Sequence, residues 1–312
     1  MSTLFPVVVG LAISIGLLWK GSELLVDSAV RIARKLQVSD LTIGLTIVAI
    51  GTSAPEFAVT INAAVRGLPD ISVSNVVGSN IFNLGFILGG CAAIRTIETS
   101  PSVVWRDGLF LFVMSCILAL FLRDLILTPQ EGLALFTVLL LYLFCLFLKK
   151  PSIGETQKGK AEKATWKDVP LLLTGIAGVV GGGHLLVWSA TAMARALGMS
   201  QWLIGVTVVA AGTSAPEFAT SLMAAYKRRY AMSVGNLIGS DLYNLLGVLG
   251  LAAMLRPLQI DPVGIKSVYL LAGMVAIVVV FMRTGFRLSR TEGLVLIAIS
   301  IVRWIFGFVV QG

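Results

Sequence analysis

Apolar residues in this chain come in long unbroken runs, separated by short polar clusters. Ten of the runs are long enough to cross a bilayer: about 4–29, 41–65, 71–93, 103–122, 130–148, 170–194, 202–226, 232–254, 264–282 and 292–310. A helix of roughly 20 apolar residues spans the hydrocarbon core. The runs lack the apolar–polar alternation of a membrane barrel strand, and lipid offers no partner to an open backbone. The pattern predicts an all-α membrane protein with ten transmembrane helices. The first run starts almost at Met1, with no basic segment before it and no small-residue cleavage site after it, so it reads as a span and not as a cleaved leader.

The chain also repeats itself. Gly51-Thr52-Ser53-Ala54-Pro55-Glu56-Phe57 recurs letter for letter as Gly212-Thr213-Ser214-Ala215-Pro216-Glu217-Phe218, an offset of 161. The same offset aligns Ile43 to Gly89 with Ile204 to Gly250 without a gap, about half of the positions being identical. A second block reads Asn75-Val76-Val77-Gly78-Ser79-Asn80-Ile81-Phe82-Asn83 in one copy and Asn236-Leu237-Ile238-Gly239-Ser240-Asp241-Leu242-Tyr243-Asn244 in the other. A period this long is a duplicated half-protein, unlike the 20–50 residue units of solenoids. The reading divides the chain into a first five-helix repeat (1–148), a basic cytosolic linker (149–169) and a second five-helix repeat (170–312). Five is odd, so the second repeat must enter the membrane in the opposite sense. Inverted repeats around a midplane site are an architecture of secondary transporters.

Composition agrees: 57% hydrophobic, 13% charged and a mean hydropathy of +0.93 are too apolar for a soluble chain of 312 residues. The net charge of +8 would suit nucleic acid, but its distribution excludes that partner. Alternate loops hold 17 of the 24 basic residues: Arg31, Arg34 and Lys35; Arg95 and Arg106; six lysines from Lys149 to Lys167; Lys227, Arg228 and Arg229; Arg283, Arg287 and Arg290. By the positive-inside rule these loops are cytoplasmic. A multi-pass protein of the cell membrane follows, with both termini extracellular and the central loop cytoplasmic. Cys91, Cys116 and Cys145 have neither metal-ligand spacing nor repeat symmetry and read as apolar packing.

The duplicated motifs carry the chemistry. Pro55 and Pro216 fall within spans, where proline lacks an N–H and clashes with the carbonyl four residues back. Gly51 and Gly212 ease local unwinding and let a ligand approach the backbone. Thr52 and Ser53 lie one turn from Glu56, as do Thr213 and Ser214 from Glu217, and Ser79/Asn83 and Ser240/Asn244 are spaced i,i+4. Carboxylates, amides, hydroxyls and freed carbonyls form the all-oxygen inventory that hard cations use, and Ca²⁺ takes 6–8 such ligands. There is no Cys or His pattern for zinc or copper. A carboxylate at membrane depth is expensive and marks function.

Gly-Thr-Ser-x-Pro-Glu in two copies, followed by Gly-Ser-Asn-x-x-Asn in the first and Gly-Ser-Asp-x-x-Asn in the second, resembles the alpha-repeats of the cation/calcium antiporter superfamily, over essentially the whole chain. Proton/calcium exchangers typically carry Gly-Asn-Ala-x-Glu in the first block; this chain is closer to prokaryotic sodium/calcium exchangers. The resemblance implies a secondary antiporter exchanging Ca²⁺ for Na⁺ by alternating access, with proton/calcium exchange as the alternative. It implies Glu56, Glu217, Thr52 and Thr213 as Ca²⁺ ligands. It also implies Na⁺ sites from Ala49, Ser53, Glu56, Ser79, Ala210, Ser214, Glu217 and Ser240, the alanines through backbone carbonyls. Asn83 would lie across from Asn244. First and tenth spans would slide or rock against a rigid core. Archaeal exchangers of this type often carry an acid where this chain has Asn244, whereas here Asp241 stands three residues earlier. Asp241 is open to two readings, a displaced third charge or a cap on polar neighbours.

Other residues make weaker claims. His184, the only histidine, reads as a hydrogen-bonded packing group. Glu23 and Asp27 read as ion-pair partners of nearby basic residues, and Arg303 in the last run needs a partner or must snorkel. An intramembrane serine hydrolase using Ser53 or Ser214 with His184 lacks the Gly-x-Ser-x-Gly elbow, and a channel does not need inverted halves. No enzyme activity and no cofactor are expected. The partners are the lipid bilayer and inorganic cations, with the oligomeric state left open, a monomer included.

Overall fold

The structure, a computed structural model, describes residues 4–148, 165–199, 208 and 210–311. Helix α1 (Leu4–Lys35) leads into α2 (Asp40–Thr52) and α3 (Ala54–Val65), a pair bent by 52° at the break between them. Next come α4 (Pro69–Ile94), α5 (Ser102–Asp124), α6 (Pro129–Leu148) and α7 (Asp168–Ala196). Then follow α8 (Ala210–Thr213), α9 (Ala215–Tyr226), α10 (Tyr230–Leu255), α11 (Pro262–Arg283) and α12 (Arg290–Gln311). Among the described residues, seven helices are long and apolar enough to cross a membrane, or up to eight if the bent pair is one span. Helix α12, expected as the tenth span, is not among the seven. The run expected over 202–226 is described only at 208 and from 210 onward, and the linker expected at 149–169 lies outside the described residues up to 164.

Among the described residues, four two-residue strands interrupt the helices. β1 (Ile97–Glu98) pairs antiparallel with β4 (Arg287–Leu288), and β2 (Ile126–Leu127) with β3 (Leu258–Gln259). Each sheet ties together loops of one charge class. Arg229 meets Asp40 at 3.3 Å, Lys227 meets Asp27 at 2.6 Å, and Arg31 bonds Asp168. These contacts join loops of the basic set. On the sparsely charged set, the Asp261 amide donates to Asp70 at 2.8 Å. The ion pairs expected of Glu23 and Asp27 are present, with Lys20 at 2.8 Å from Glu23 and Lys227, from a distant loop, serving Asp27.

Helices α4 and α10 form the interior, with 67% and 83% of their apolar windows buried, against 28% for both α1 and α7. Helices α6 and α11 are peripheral too, at 22% and 33%, but α1 and α7 pack on each other. A Cβ at Gly21 would lie 2.7 Å from the Val179 nitrogen, and one at Gly175 would lie 2.6 Å from the Leu25 nitrogen. Only glycine permits backbones this close. Helix α12 packs instead on α4, so the helix paired with α1 is α7 and not the tenth span. Cys91 packs in the core as expected, whereas Cys116 and Cys145 are exposed.

Candidate cation-binding site

The two identical motifs fold alike because proline forbids a continuous helix. The chain leaves helical geometry at Ser53 (φ −80, ψ 10) and again at Ser214 (φ −86, ψ 9). Pro55 and Pro216 then sit in the first turn of α3 and α9, where a missing N–H is tolerated. The same first turns hold Glu56 and Glu217, beside the positive helix ends that favour a carboxylate. Gly51 and Gly212 precede these breaks and also serve packing. A Cβ on either would run into α7, at Ile176 and Val187 respectively, so these glycines make room for a neighbouring helix.

The breaks place each serine against the other copy's glutamate. Ser53 Oγ donates to Glu217 Oε1 at 2.9 Å, and Ser214 Oγ donates to Glu56 Oε1 at 3.2 Å. Asn75 holds α3 by donating to the Glu56 carbonyl (3.3 Å) and Thr60 (3.0 Å). Asn236 does the same for α9 at the Glu217 carbonyl (3.5 Å) and Ser221 (2.9 Å). Thr52 Oγ1 lies 3.3 Å from the Ala49 carbonyl and 3.2 Å from Asn236 Oδ1, with Ser240 at 3.5 Å. This close approach of α2 and α10 depends on Gly239, whose Cβ would fall 2.7 Å from the Leu45 backbone and 2.9 Å from the Ala49 Cβ.

The second blocks cross in the same way. Asn83 donates to Asp241 Oδ1 (3.0 Å), and Asn244 donates to Asn80 Oδ1 (3.1 Å) and to Ser79 (3.4 Å). Asn80 also donates to the Asp241 carbonyl at 3.0 Å. Asn83 and Asn244 sit where α4 and α10 widen into a π-helical turn, at Asn83–Leu88 and Tyr243–Val248, a local feature common at functional sites. Asp241 thus takes the place that Asn80 holds in the other copy.

Five buried oxygens in this cluster accept no hydrogen bond: Glu56 Oε2, Glu217 Oε2, Asp241 Oδ2, Asn83 Oδ1 and Asn244 Oδ1. Each unpaired buried acceptor costs about 1–3 kcal/mol, and a converging set of acceptors without donors has the chemistry of a hard-cation site. Among the described residues, no three His, Cys, Asp or Glu side chains group as a metal cluster. A cation here would have to mix carboxylate, amide, hydroxyl and carbonyl oxygens.

Of the residues singled out in the sequence, Ala49, Thr52, Ser53, Glu56, Ser214, Glu217 and Ser240 are brought together, with Ser79, Asn83, Asp241 and Asn244 as a linked group. Thr213 is half-buried, and Ala210 is described only as the start of α8. Sequence reasoning passed over Asn75, Asn236 and Asn80, although the first two are identical at the repeat offset. His184 is exposed and makes no hydrogen bond among the described residues, which overturns its reading as a hydrogen-bonded packing group. Both candidate serine nucleophiles donate to glutamates instead.

The arrangement defines a multi-pass membrane protein with a buried oxygen-lined centre, and known proteins of that kind match it. A structure of the sodium-calcium exchanger NCX_Mj soaked with zero Na⁺ and Ca²⁺ superposes with a TM-score of 0.86 at 28% identity, covering 99% of this chain and 100% of the other. The sodium/calcium exchanger MaX1 of Methanosarcina acetivorans is 29% identical over 319 residues, covering 89% of this chain and 91% of its own. CaxA of Alkalimonas amylolytica is 37% identical over 310 residues, covering 95% of each. The sequence model of the sodium/calcium exchanger protein family matches residues 6–148 and 167–308. The chain belongs to that family.

Proposed function

We propose that the protein is a secondary antiporter that expels Ca²⁺ against Na⁺ entering the cell. The crossed Ser–Glu bonds carry this reading: they leave one oxygen of each glutamate unpaired, and the amide oxygens of Asn83 and Asn244, one from each copy, are buried and unpaired as well. Glu56 and Glu217 would neutralise one Ca²⁺, with oxygens from Thr52 and Thr213 completing its shell. After Ca²⁺ leaves, the same carboxylates would share Na⁺ with Ser53, Ser79, Ser214, Ser240 and the carbonyls of Ala49 and Ala210. Family membership and the names of MaX1 and NCX_Mj support the choice of ions.

Alternating access would come from α1 and α7. They lie outside the interior helices and meet each other through glycine faces, while α7 also touches both helix breaks at Ile176 and Val187. A shift of that pair would therefore open one side of the site as it closes the other. Proton coupling is the second reading, and one observation favours it: Asp241 adds a third buried carboxylate to the two that Ca²⁺ needs. Sealed vesicles given separate Na⁺ and pH gradients distinguish the two. An opposing Na⁺ gradient is expected to drive ⁴⁵Ca²⁺ uphill at fixed pH with a proton ionophore present. Uphill flux that follows only the pH gradient assigns the protein to proton/calcium exchange.

The topology belongs to the same proposal: ten spans in two inverted repeats of five, with both termini outside and the basic loops in the cytosol. The segregated loop contacts support it, since Lys227–Asp27, Arg229–Asp40 and Arg31–Asp168 all join loops of the basic set. Single cysteines introduced into a cysteine-free protein should label from the cytosol at Lys158 and from outside at Ser2 and Gln311. Termini on opposite sides would exclude an even number of spans.

A further inference from the structure

The ion site leaves unused a cavity of about 520 Å³ on the basic face, walled by Arg95, Arg228, Arg287 and Arg290, with Glu98 as the one acid. It adjoins a second cavity of about 690 Å³ that shares three of those arginines and continues along Ile94, Leu222, Ala225 and Tyr226. The walls come from the end of α4, the end of α9, the start of α10 and the β4–α12 junction. These are the ends of long apolar helices, where the basic residues of the loops begin. Arg95 is steadied over the Tyr230 ring at 5.8 Å. Arg95, Arg287 and Arg290 form no ion pair with an acid among the described residues.

We propose that the paired cavities bind one anionic phospholipid, its phosphate held by Arg95, Arg287 and Arg290 and its acyl chains laid along Leu222, Ala225 and Ile94. Guanidinium forks match phosphate oxygens in pairs, which accounts for arginine where a solvated charged face would serve with lysine. A soluble phosphate would fill the first cavity and leave the apolar one without a role; a lipid uses both. The bound lipid would bridge α4, α9 and α12, and α9 carries Glu217 at its other end.

The test is native mass spectrometry of the purified full chain titrated with phosphatidylglycerol or phosphatidylcholine of equal chain length. Phosphatidylglycerol is expected to bind at least about tenfold more tightly. The triple variant Arg95→Gln/Arg287→Gln/Arg290→Gln should lose that preference, whereas Arg34→Gln/Lys35→Gln/Arg283→Gln, on the same face, should keep it. Leu222→Trp, which fills the apolar cavity and leaves every charge in place, should weaken phosphatidylglycerol alone, and it serves if the triple variant does not fold. Equal binding of the two lipids, or equal losses in the two triple variants, would overturn the proposal. Displacement of the lipid by millimolar inorganic phosphate, with Leu222→Trp unaffected, would overturn it in favour of a soluble phosphate site.

Discussion

Glu56→Gln and Glu217→Gln, each made alone, are expected to abolish Ca²⁺ uptake while leaving the protein folded. The substitution keeps size and shape, and the amide oxygen can still accept from Ser214 or Ser53 across the pseudo-symmetric pair. What changes is charge. A divalent ion held away from water needs nearly complete compensation, because in a low-dielectric interior an unbalanced charge interacts strongly over several ångströms. Removing one partner from a buried charge pair typically costs 3–5 kcal/mol, about 10²- to 4 × 10³-fold in Ca²⁺ affinity. ⁴⁵Ca²⁺ uptake into proteoliposomes, alongside size-exclusion profiles and thermal unfolding, separates lost binding from lost folding. Near-wild-type uptake by either well-folded variant would remove the basis for calling these glutamates the centre of the site.

Asp241→Asn is expected to weaken Na⁺ dependence more than Ca²⁺ binding. One Asp241 oxygen accepts from Asn83 and the other is unpaired and buried, so the third charge is available to an ion without being needed to neutralise Ca²⁺. Asparagine is also what the other copy carries at Asn80, where it fits the crossed amide network. The variant should therefore fold and keep its Ca²⁺ affinity within a few-fold, while the Na⁺ concentration for half-maximal exchange rises about tenfold, equivalent to 1.4 kcal/mol. Equal losses for both ions would make Asp241 part of the Ca²⁺ shell. Loss of pH dependence with Na⁺ dependence untouched would assign the carboxylate to protons.

Much of this was legible in the chain because a membrane restricts the choices. With no water to satisfy an open backbone, an apolar run of span length is a helix, and a glutamate beside a proline inside such a run marks a site. The run boundaries at 71–93 and 130–148 fall within a few residues of Pro69–Ile94 and Pro129–Leu148. Repetition did the rest, since an identical seven-residue motif folded by the same proline break yields two equivalent half-sites. Local pattern failed where a residue's role depends on another helix. Gly51 and Gly212 gave no sign in the sequence that they also accommodate Ile176 and Val187 of α7. His184 suggested a hydrogen-bonded interior group and faces outward.

What the sequence determined by itself is the helical membrane class, the duplicated carboxylate motifs and their all-oxygen chemistry, because these rest on spacing within one segment. Tertiary structure alone decided the partners: Ser53 with Glu217, Ser214 with Glu56, Asn83 with Asp241, and α1 with α7 in place of α12. Each of the three hydrogen-bonded pairs spans more than 150 residues. Helical periodicity reports which residues share a face of one helix, and it carries no information on which distant helix that face will meet.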